Sequence, residues 1–431
     1  RFQPVENKIL NQVQDDRRKH MKIIILLLMF QLASAVTFDL EQCLDFAEKN
    51  NKSIQKSNYD KDISKMNVKD ARNRFYDLTA SGSYRLAGDD DDNMSTNLLS
   101  SVGVTGTLSP YLIHNYKYNK VSSTNTSLDH VENVNNLRNY VTSAFFSVLI
   151  AKENLKLQKD KLEYSQKKFE EAELRFSMGN MSQSDLLSFE VTLSEDTIDL
   201  KNKESDLEKQ KQNLLYLMHY QIKEEGFDIE YKAALDTEFD FNKKELIEEA
   251  LNNRQDIKKY KNYLGQQDLL LKMQYDNYLP SLTGGVSYDY NKYDDLNNDL
   301  FSYSSDGLEG SLTLSLNLSY SNLNGIDKNK VEVKKSKLSL ESKILEVKND
   351  ITSKLLDLQN QKNNLELADK HIELAEKNLE LADKLFAIGD KSVSDYLKAR
   401  NDFISAKNRK INYLYSFIIS KYDLYNSVGR R

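Results

Sequence analysis

The stretch "GSLTLSLNLSY" runs from Gly310 to Tyr320. Leu312, Leu314, Leu316 and Leu318 alternate without a break with Ser311, Thr313, Ser315, Asn317 and Ser319. A period of two belongs to a strand with one apolar and one wet face. The pattern recurs three times. Leu78, Ala80, Gly82, Tyr84 and Leu86 alternate with Thr79, Ser81, Ser83 and Arg85. Val102, Val104, Gly106 and Leu108 alternate with Ser101, Gly103, Thr105 and Thr107. Leu282, Gly284, Val286, Tyr288 and Tyr290 alternate with Thr283, Gly285, Ser287, Asp289 and Asn291. Strands are predicted at about 78–87, 99–108, 282–291 and 310–320, each near the length (about 9–11 residues) that crosses a bilayer when tilted. "GDDDDNMSTN" (88–97) and "NKYDDLNNDLFSYSSDG" (291–307) read as wet loops. The acidic run 88–92 lacks the spaced ligands of a calcium loop and reads as a solvated turn.

Around the strands the chain is helical. Only 3 Pro and 14 Gly in 431 residues leave few breaks, so elements run long. The chain also repeats itself. Phe38, Ala47, Asn50, Ile54, Lys56 and Lys69 recur 203 positions on as Phe241, Ala250, Asn253, Ile257, Lys259 and Lys272. Asn154, Leu155, Leu157, Phe176, Gly179, Ser184, Asp185 and Leu187 recur 210 positions on as Asn364, Leu365, Leu367, Phe386, Gly389, Ser394, Asp395 and Leu397. We expect a first repeat over 36–220, an inter-repeat linker over 221–240 and a second repeat over 241–431. Each repeat reads as a short helix (40–50; 243–252), a second helix (52–76; 254–278) and two strands. A long helix (115–177; 327–387), a Gly turn and a last helix (182–220; 391–428) follow. The second and last helices of a repeat together match the long one, roughly 90–95 Å at 1.5 Å per residue. Two short helices stacked end to end beside one long one describe the wall of a helical tube.

The helices carry seams. Leu137, Tyr140, Val141, Ala144, Phe145 and Val148 follow the i, i+3, i+4 rule. Leu365, Ile372, Leu379 and Phe386 are seven apart, as are Ala368, Ala375 and Ala382. A strict seven-residue period gives a left-handed coiled coil, and Ala on its seam permits close approach. A helical hairpin within one chain satisfies the same pattern.

"MKIIILLLMFQLASA" (21–35) has a Lys start, a short apolar core and an Ala33-Ser34-Ala35 end, which is the form of a secretory signal peptide. Residues 1–20 precede this Met and are expected to be an upstream extension outside the fold. Cys43 is the one cysteine, so no internal disulfide can form. It lies well past the cleavage site, so we expect no lipid anchor. A formal charge of −6 with no basic tract argues against nucleic acid. The five His are scattered, and no metalloprotease, nucleophile-elbow or phosphate-cradling motif occurs. We expect no enzyme and no cofactor.

The leucines must face either a soluble core or lipid. The apolar stripes of the helices are spent on one another, which leaves no cover for four strand faces. If lipid is the partner, the sheet must close, because no open edge survives in hydrocarbon. Closed single-chain barrels have at least about eight strands. One chain has four, and three chains supply twelve.

This pattern resembles the TolC-like outer-membrane efflux protein family, over nearly all of the chain from Phe38 to Gly429. The resemblance rests on the signal peptide, the duplicated helix–hairpin–helix plan, and the segments "RFSMGNMSQSDLL" (175–187) and "LFAIGDKSVSDYL" (385–397). It rests also on "FYDLTASGSY" and "YLPSLTGGVSY", which lead into strands. It implies a mainly α fold with a small β part, assembled as a homotrimer. A 12-stranded β-barrel in outer-membrane lipid would continue into a periplasmic α-helical barrel, with 221–240 at its equator. It implies an exit duct in the outer membrane of a Gram-negative bacterium, serving efflux or type I secretion. A periplasmic membrane-fusion (adaptor) protein and an inner-membrane pump of RND, ABC or MFS type would open it. By position it places the periplasmic gate and pore lining at Ser184, Asp185, Phe386, Lys391, Asp395 and Lys398. Adaptor contacts fall on the helix tips at Met178, Gly179, Asn180, Ile388, Gly389 and Asp390. Three positions depart from the family pattern: Phe386 lacks a tyrosine hydroxyl, Lys391 stands for Arg, and Lys398 is basic where an acid is expected. The other reading is a soluble periplasmic coiled-coil adaptor or scaffold without a pore.

Overall fold

The computed structural model describes residues 36–88, 94–220, 227–231, 241–295, 303–316 and 321–430. In order, the elements are β1 (Val36–Phe38), α1 (Leu40–Asn50), α2 (Lys52–Asn73), β2 (Tyr76–Gly88), β3 (Met94–Leu108), α3 (Pro110–Ser177) and α4 (Gln183–Met218). Then come β4 (Phe227–Ile229), α5 (Lys243–Asn253), α6 (Gln255–Asp276), β5 (Ser281–Asp295), β6 (Tyr303–Ser315), α7 (Ser321–Ala387) and α8 (Val393–Val428). The signal peptide and residues 1–20 lie outside the described residues, as do 89–93, 221–226, 232–240, 296–302 and 317–320.

Local chemistry sets the helix starts. Asn51 and Asn242 cap α2 and α5 by accepting from the N–H groups of Ser53 (2.9 Å) and Lys244 (3.0 Å). At α3, Ser109 accepts from the Leu112 N–H (3.2 Å), and Pro110 takes the first helical position, where its missing N–H costs nothing. The long helices begin five and six residues before the predicted 115 and 327.

The chain forms two compact units, and these are not the two repeats. The first takes the residues up to Asn50 with Tyr140–Asp236 and Leu365–Tyr415. The second takes Asn51–Asn139, Thr237–Asn364 and Ser416–Arg431. Each therefore draws on both repeats.

The second unit holds a four-stranded sheet in the order β2-β3-β5-β6, all antiparallel. Residues directly opposite in an antiparallel ladder share a face. The register sets Leu78 opposite Val104, Val104 opposite Val286, Leu282 opposite Leu314 and Tyr288 opposite Leu308. The apolar members of all four strands thus fall on one face. That face is bare: Leu78 is 71% exposed, Leu312 75% and Leu314 71%.

The strands differ in extent from the alternation pattern. β6 covers 303–315, so its start lies seven residues before the expected Gly310, and Leu316 falls just past its end. β5 runs on to Asp295, and β3 starts at Met94. Polar segments expected as loops are strand because the ladder's backbone hydrogen bonds continue past the apolar alternation.

In the first unit, β1 and β4 pair in parallel, which the sequence pattern missed inside the linker. Phe38, Phe46, Tyr220 and Phe227 form an aromatic group beside them, with Phe46 and Tyr220 centroids 4.7 Å apart. Lys152 donates to both carboxylate oxygens of Asp228 (3.0 and 2.8 Å). Ala368, Ala375 and Ala382, the seven-residue Ala series, are buried, as are Ala172, Ala399 and Ala406. Among the described residues no helix is long and apolar enough to cross a membrane.

Phe146 is fully buried, with its ring against Phe145 (5.7 Å), Tyr231 (5.3 Å) and Tyr415 (6.1 Å). Phe146→Ala should lower stability by about 3–5 kcal/mol, read by denaturant unfolding followed with circular dichroism.

Candidate functional site

The helix-hairpin turns of the first unit hold every residue of the predicted site. Gly179 and Gly389 sit at φ +75° and +81°, the left-handed region that glycine enters without strain. The chain reverses identically at both. The N–H groups of Asn180 and Gly179 donate to the carbonyls of Arg175 and Phe176 (both 2.9 Å). Those of Asp390 and Gly389 donate to Leu385 (2.9 Å) and Phe386 (3.1 Å). This double bond satisfies carbonyls left open at a helix end. Met178, Gly179, Asn180, Ile388, Gly389 and Asp390 are all exposed.

Each turn leads into a capped helix. The Asp185 N–H donates to Ser182 Oγ (3.1 Å), whose hydroxyl donates to Asp185 Oδ2 (2.7 Å). Ser392 and Asp395 repeat both bonds at the same distances. Asp185 and Asp395 therefore have a structural task in the first turn of α4 and α8, where a carboxylate also suits the helix dipole. Ser184 is exposed, and its carbonyl accepts from Ser188 Oγ (3.0 Å). Lys391 is half-buried and Lys398 exposed; among the described residues neither forms an ion pair, so Lys391 does not meet Asp185 within the chain.

Phe386 lies in an aromatic cluster. Its ring stacks on Tyr396 (5.3 Å between centroids, 22° between planes), with Phe189 at 5.9 Å and the Arg175 guanidinium at 5.4 Å. Ala172, Phe189, Val393 and Tyr396 are the buried centre of this cluster. The Tyr396 hydroxyl donates to Tyr164 (2.7 Å). Burial, followed by that bond, pushes Tyr396 well above the ordinary phenol range. Lys168 donates to Glu171 and Asp383 (both 3.0 Å). Burial alone would lower its pKa, but those bonds outweigh it and raise it.

Beyond the predicted residues lies a buried polar cluster. Arg400 on α8 and Asp196 on α4 are each 2% exposed and pair at 2.6 Å. Lys161 of α3 meets the other Asp196 oxygen at 2.6 Å, and the Ser165 hydroxyl donates to Asp196. Burial raises the Asp196 pKa, but hydrogen bonds from Lys161, Ser165 and Arg400 prevail and hold it below the usual carboxylate range. The signal for this cluster was a break in the duplication. At the 210 offset, Asp196 answers to Ala406, Ser165 to Ala375 and Arg400 to Glu190.

Because the folded pKa of Asp196 is depressed, its stabilisation is full above the unfolded carboxylate value of about 3.9 and fades as pH falls through the folded value. Asp196→Asn removes that acid dependence and leaves two cations without their counter-charge. It should cost about 3–5 kcal/mol at pH 7 and show a shallower stability loss below about pH 4, read by guanidinium unfolding across pH.

With this geometry stand the comparisons. The family model described as "Outer membrane efflux protein" matches residues 246–430. No curated protein matches the chain in sequence. The fold is similar to that of CusC, solved in a study of folding and transmembrane channel formation, at a TM-score of 0.80 and 14% identity, covering 92% of this chain and 93% of that one. The Campylobacter jejuni CmeC outer membrane channel matches at 0.75 and 17% identity, over 90% and 85% of the two chains. The open state of the Neisseria gonorrhoeae MtrE outer membrane channel matches at 0.75 and 16%, over 91% and 89%.

Proposed function

From the match of residues 246–430 to the outer membrane efflux protein family model, we propose that the chain is the outer-membrane exit duct of a tripartite efflux or type I secretion system. One observation carries the reading: a four-stranded sheet with a bare apolar face and two edges, β2 and β6, that no described strand pairs. In lipid both edges must be paired. Successive antiparallel pairing makes β2 and β6 run in opposite directions. β6 of one copy beside β2 of the next therefore continues the antiparallel order, and three copies close a twelve-stranded barrel. A soluble scaffold would have to cover the same face from outside the chain.

In this reading α3, α7 and the shorter helices form the periplasmic wall, and the turns at Gly179 and Gly389 meet a periplasmic adaptor. Ser184, Asp185, Phe386, Lys391, Asp395 and Lys398 belong to the mouth. A partner for Lys391 then comes from a neighbouring copy. The duct is passive; an inner-membrane pump selects and drives the cargo.

Single-channel recording of the detergent-purified protein in a planar bilayer tests the reading. Discrete, long-lived openings are expected; absence of conductance from a protein that is also soluble without detergent overturns it. Leu312→Arg puts a charge on the lipid face at a cost of about 2–4 kcal/mol per chain near the midplane and should abolish stable insertion. Lys391→Ala should raise the basal leak of the closed channel, and an unchanged leak removes Lys391 from the gate.

A further inference from the structure

We infer that the seam between neighbouring copies repeats the seam between the two repeats of one chain, so that α2 of one copy lies in an apolar groove on α7 of the next. The inference names the contacts of the ring of copies proposed above and rests on that reading. All the segments it uses belong to the second unit.

Inside the chain, α3 of the first repeat and α6 of the second meet through polar side chains. Asn262 Nδ2 donates to Asn125 Oδ1 (2.8 Å), and Asn125 Nδ2 donates to Gln266 Oε1 (3.3 Å). Lys259 reaches Asp129 and Glu132 (2.6 and 2.8 Å). The duplication maps α3 onto α7 at an offset of 210 and α6 onto α2 at 203. Asn125, Asp129 and Glu132 therefore answer to Lys335, Ser339 and Ser342, and Asn262 and Gln266 to Tyr59 and Ile63.

The two sets differ in cover. Asn125 and Gln266 are buried, and Asn262, Val121 and Leu128 are half-buried. Their counterparts Lys335, Ile63, Tyr59, Val331 and Leu338 are all exposed. Four of those five are large apolar side chains bare over more than half their surface, as is Met66 one turn beyond Ile63. Apolar patches of this kind, rimmed by polar residues, mark interaction sites. An open groove of about 500 Å³ runs along α7 at this point, and its lining includes Val331, Lys335, Leu338, Ser339 and Ser342. Three of these are the counterparts of the α3 residues that hold α6. The same antiparallel approach sets Tyr59 and Ile63 beside Lys335. Leu338 and Val331, one turn to either side of Lys335, then meet Tyr59 and Met66. The internal seam is polar, and the seam between copies is greasy.

The strands give the same answer independently. Leu78 is opposite Val104, and its counterpart Leu282 is opposite Leu314, so Val104 answers to Leu314. Val286 answers to Gly82, as Thr283 does to Thr79 and Ser287 to Ser83. The internal pair Val104–Val286 thus becomes Leu314 opposite Gly82 of the next copy, with both residues on the apolar face. A closed barrel has a fixed stagger from strand to strand, and repeating the internal register keeps it uniform. This register sets Glu309 opposite Ala87 and diagonal to Arg85 on the wet face, within reach of long side chains. Among the described residues neither Arg85 nor Glu309 forms an ion pair within the chain, and Glu309 lies diagonal to Asp289, a like charge. A cation from the next copy suits that place.

The test is cross-linking of the detergent-purified full chain carrying Ile63→Cys and Lys335→Cys with a short bismaleimide. Cys43 is buried and stays in place. The expected result is covalent species of up to three chains and no larger. The product should be lost in either single-cysteine variant. It should be lost also when Ser342→Cys replaces Lys335→Cys, about 10 Å along α7. If the double-cysteine chain misfolds by circular dichroism, the strands serve instead. Arg85→Glu should then lower the temperature at which the oligomer dissociates on a gel, and Glu309→Arg in the same chain should restore it; no restoration overturns the inference. Single-channel recording on the same preparation separates this inference from the duct. Conductance without the Ile63–Lys335 product, or with a product through Ser342 instead, overturns the seam and leaves the duct. The expected product from a chain that never conducts supports the seam and overturns the duct.

Discussion

A sheet with one apolar face and unpaired edges cannot rest in hydrocarbon until every backbone N–H and C=O is matched. On the reading proposed above, the assembly of this protein follows from that constraint. β2 and β3 come from the first repeat, β5 and β6 from the second, and the two hairpins join through the β3–β5 ladder. Adding a hairpin to a hairpin leaves two edges, as before. Among the described residues no further strand ends the series, and on the reading proposed above only a ring of copies does.

The duplication builds a frame and then departs from it. Both Gly turns, both Ser–Asp caps and both long helices recur almost atom for atom. Even the last helical end recurs: His219 and Gly429, 210 apart, both adopt positive φ and both precede a backbone bond of the same kind. The repeats diverge where side chains from three helices converge. Arg400, Asp196, Lys161 and Ser165 occupy one such place; at the matching positions stand buried Ala406 and Ala375 for Asp196 and Ser165, and exposed Glu190 and His371 for Arg400 and Lys161. Packing explains the recurrence, since a shared backbone plan needs the same caps and turns. It does not explain the ion cluster, whose desolvation is costly.

Features that depend on neighbours in sequence were legible. The helix ends at Asn51, Gly179 and Ser182 were readable because these residues act on backbone groups within a few residues, whereas the start of α3 at Pro110 was expected five residues later. Strand interiors were readable because alternation at Leu312 and Leu314, or Val102 and Val104, reports two faces directly. Strand ends were not. β6 starts at Tyr303 because its partner β5 offers hydrogen bonds there, and "YSSDG" carries no apolar alternation to announce it. The pairing of Val36–Phe38 with Phe227–Ile229 was hidden for a similar reason, since three-residue strands far apart in sequence leave no periodic trace.

For the site, the turns around Gly179 and Gly389 stood out by repetition, yet the aromatic stacking of Phe386 on Tyr396 did not. Sequence alone determined the helix and strand types, the duplication, the one-sided greasiness of the strands and the resemblance that follows from their order. These are local or periodic properties, and local hydrogen bonding and side-chain period enforce them. Only the tertiary structure decided which faces meet. It drew each compact unit from both repeats, set the ladder registers, and brought Asp196, Lys161 and Arg400 together from three helices. Such contacts depend on how separate helices are placed in space, and a linear pattern records the phase of each helix but not the partner it faces.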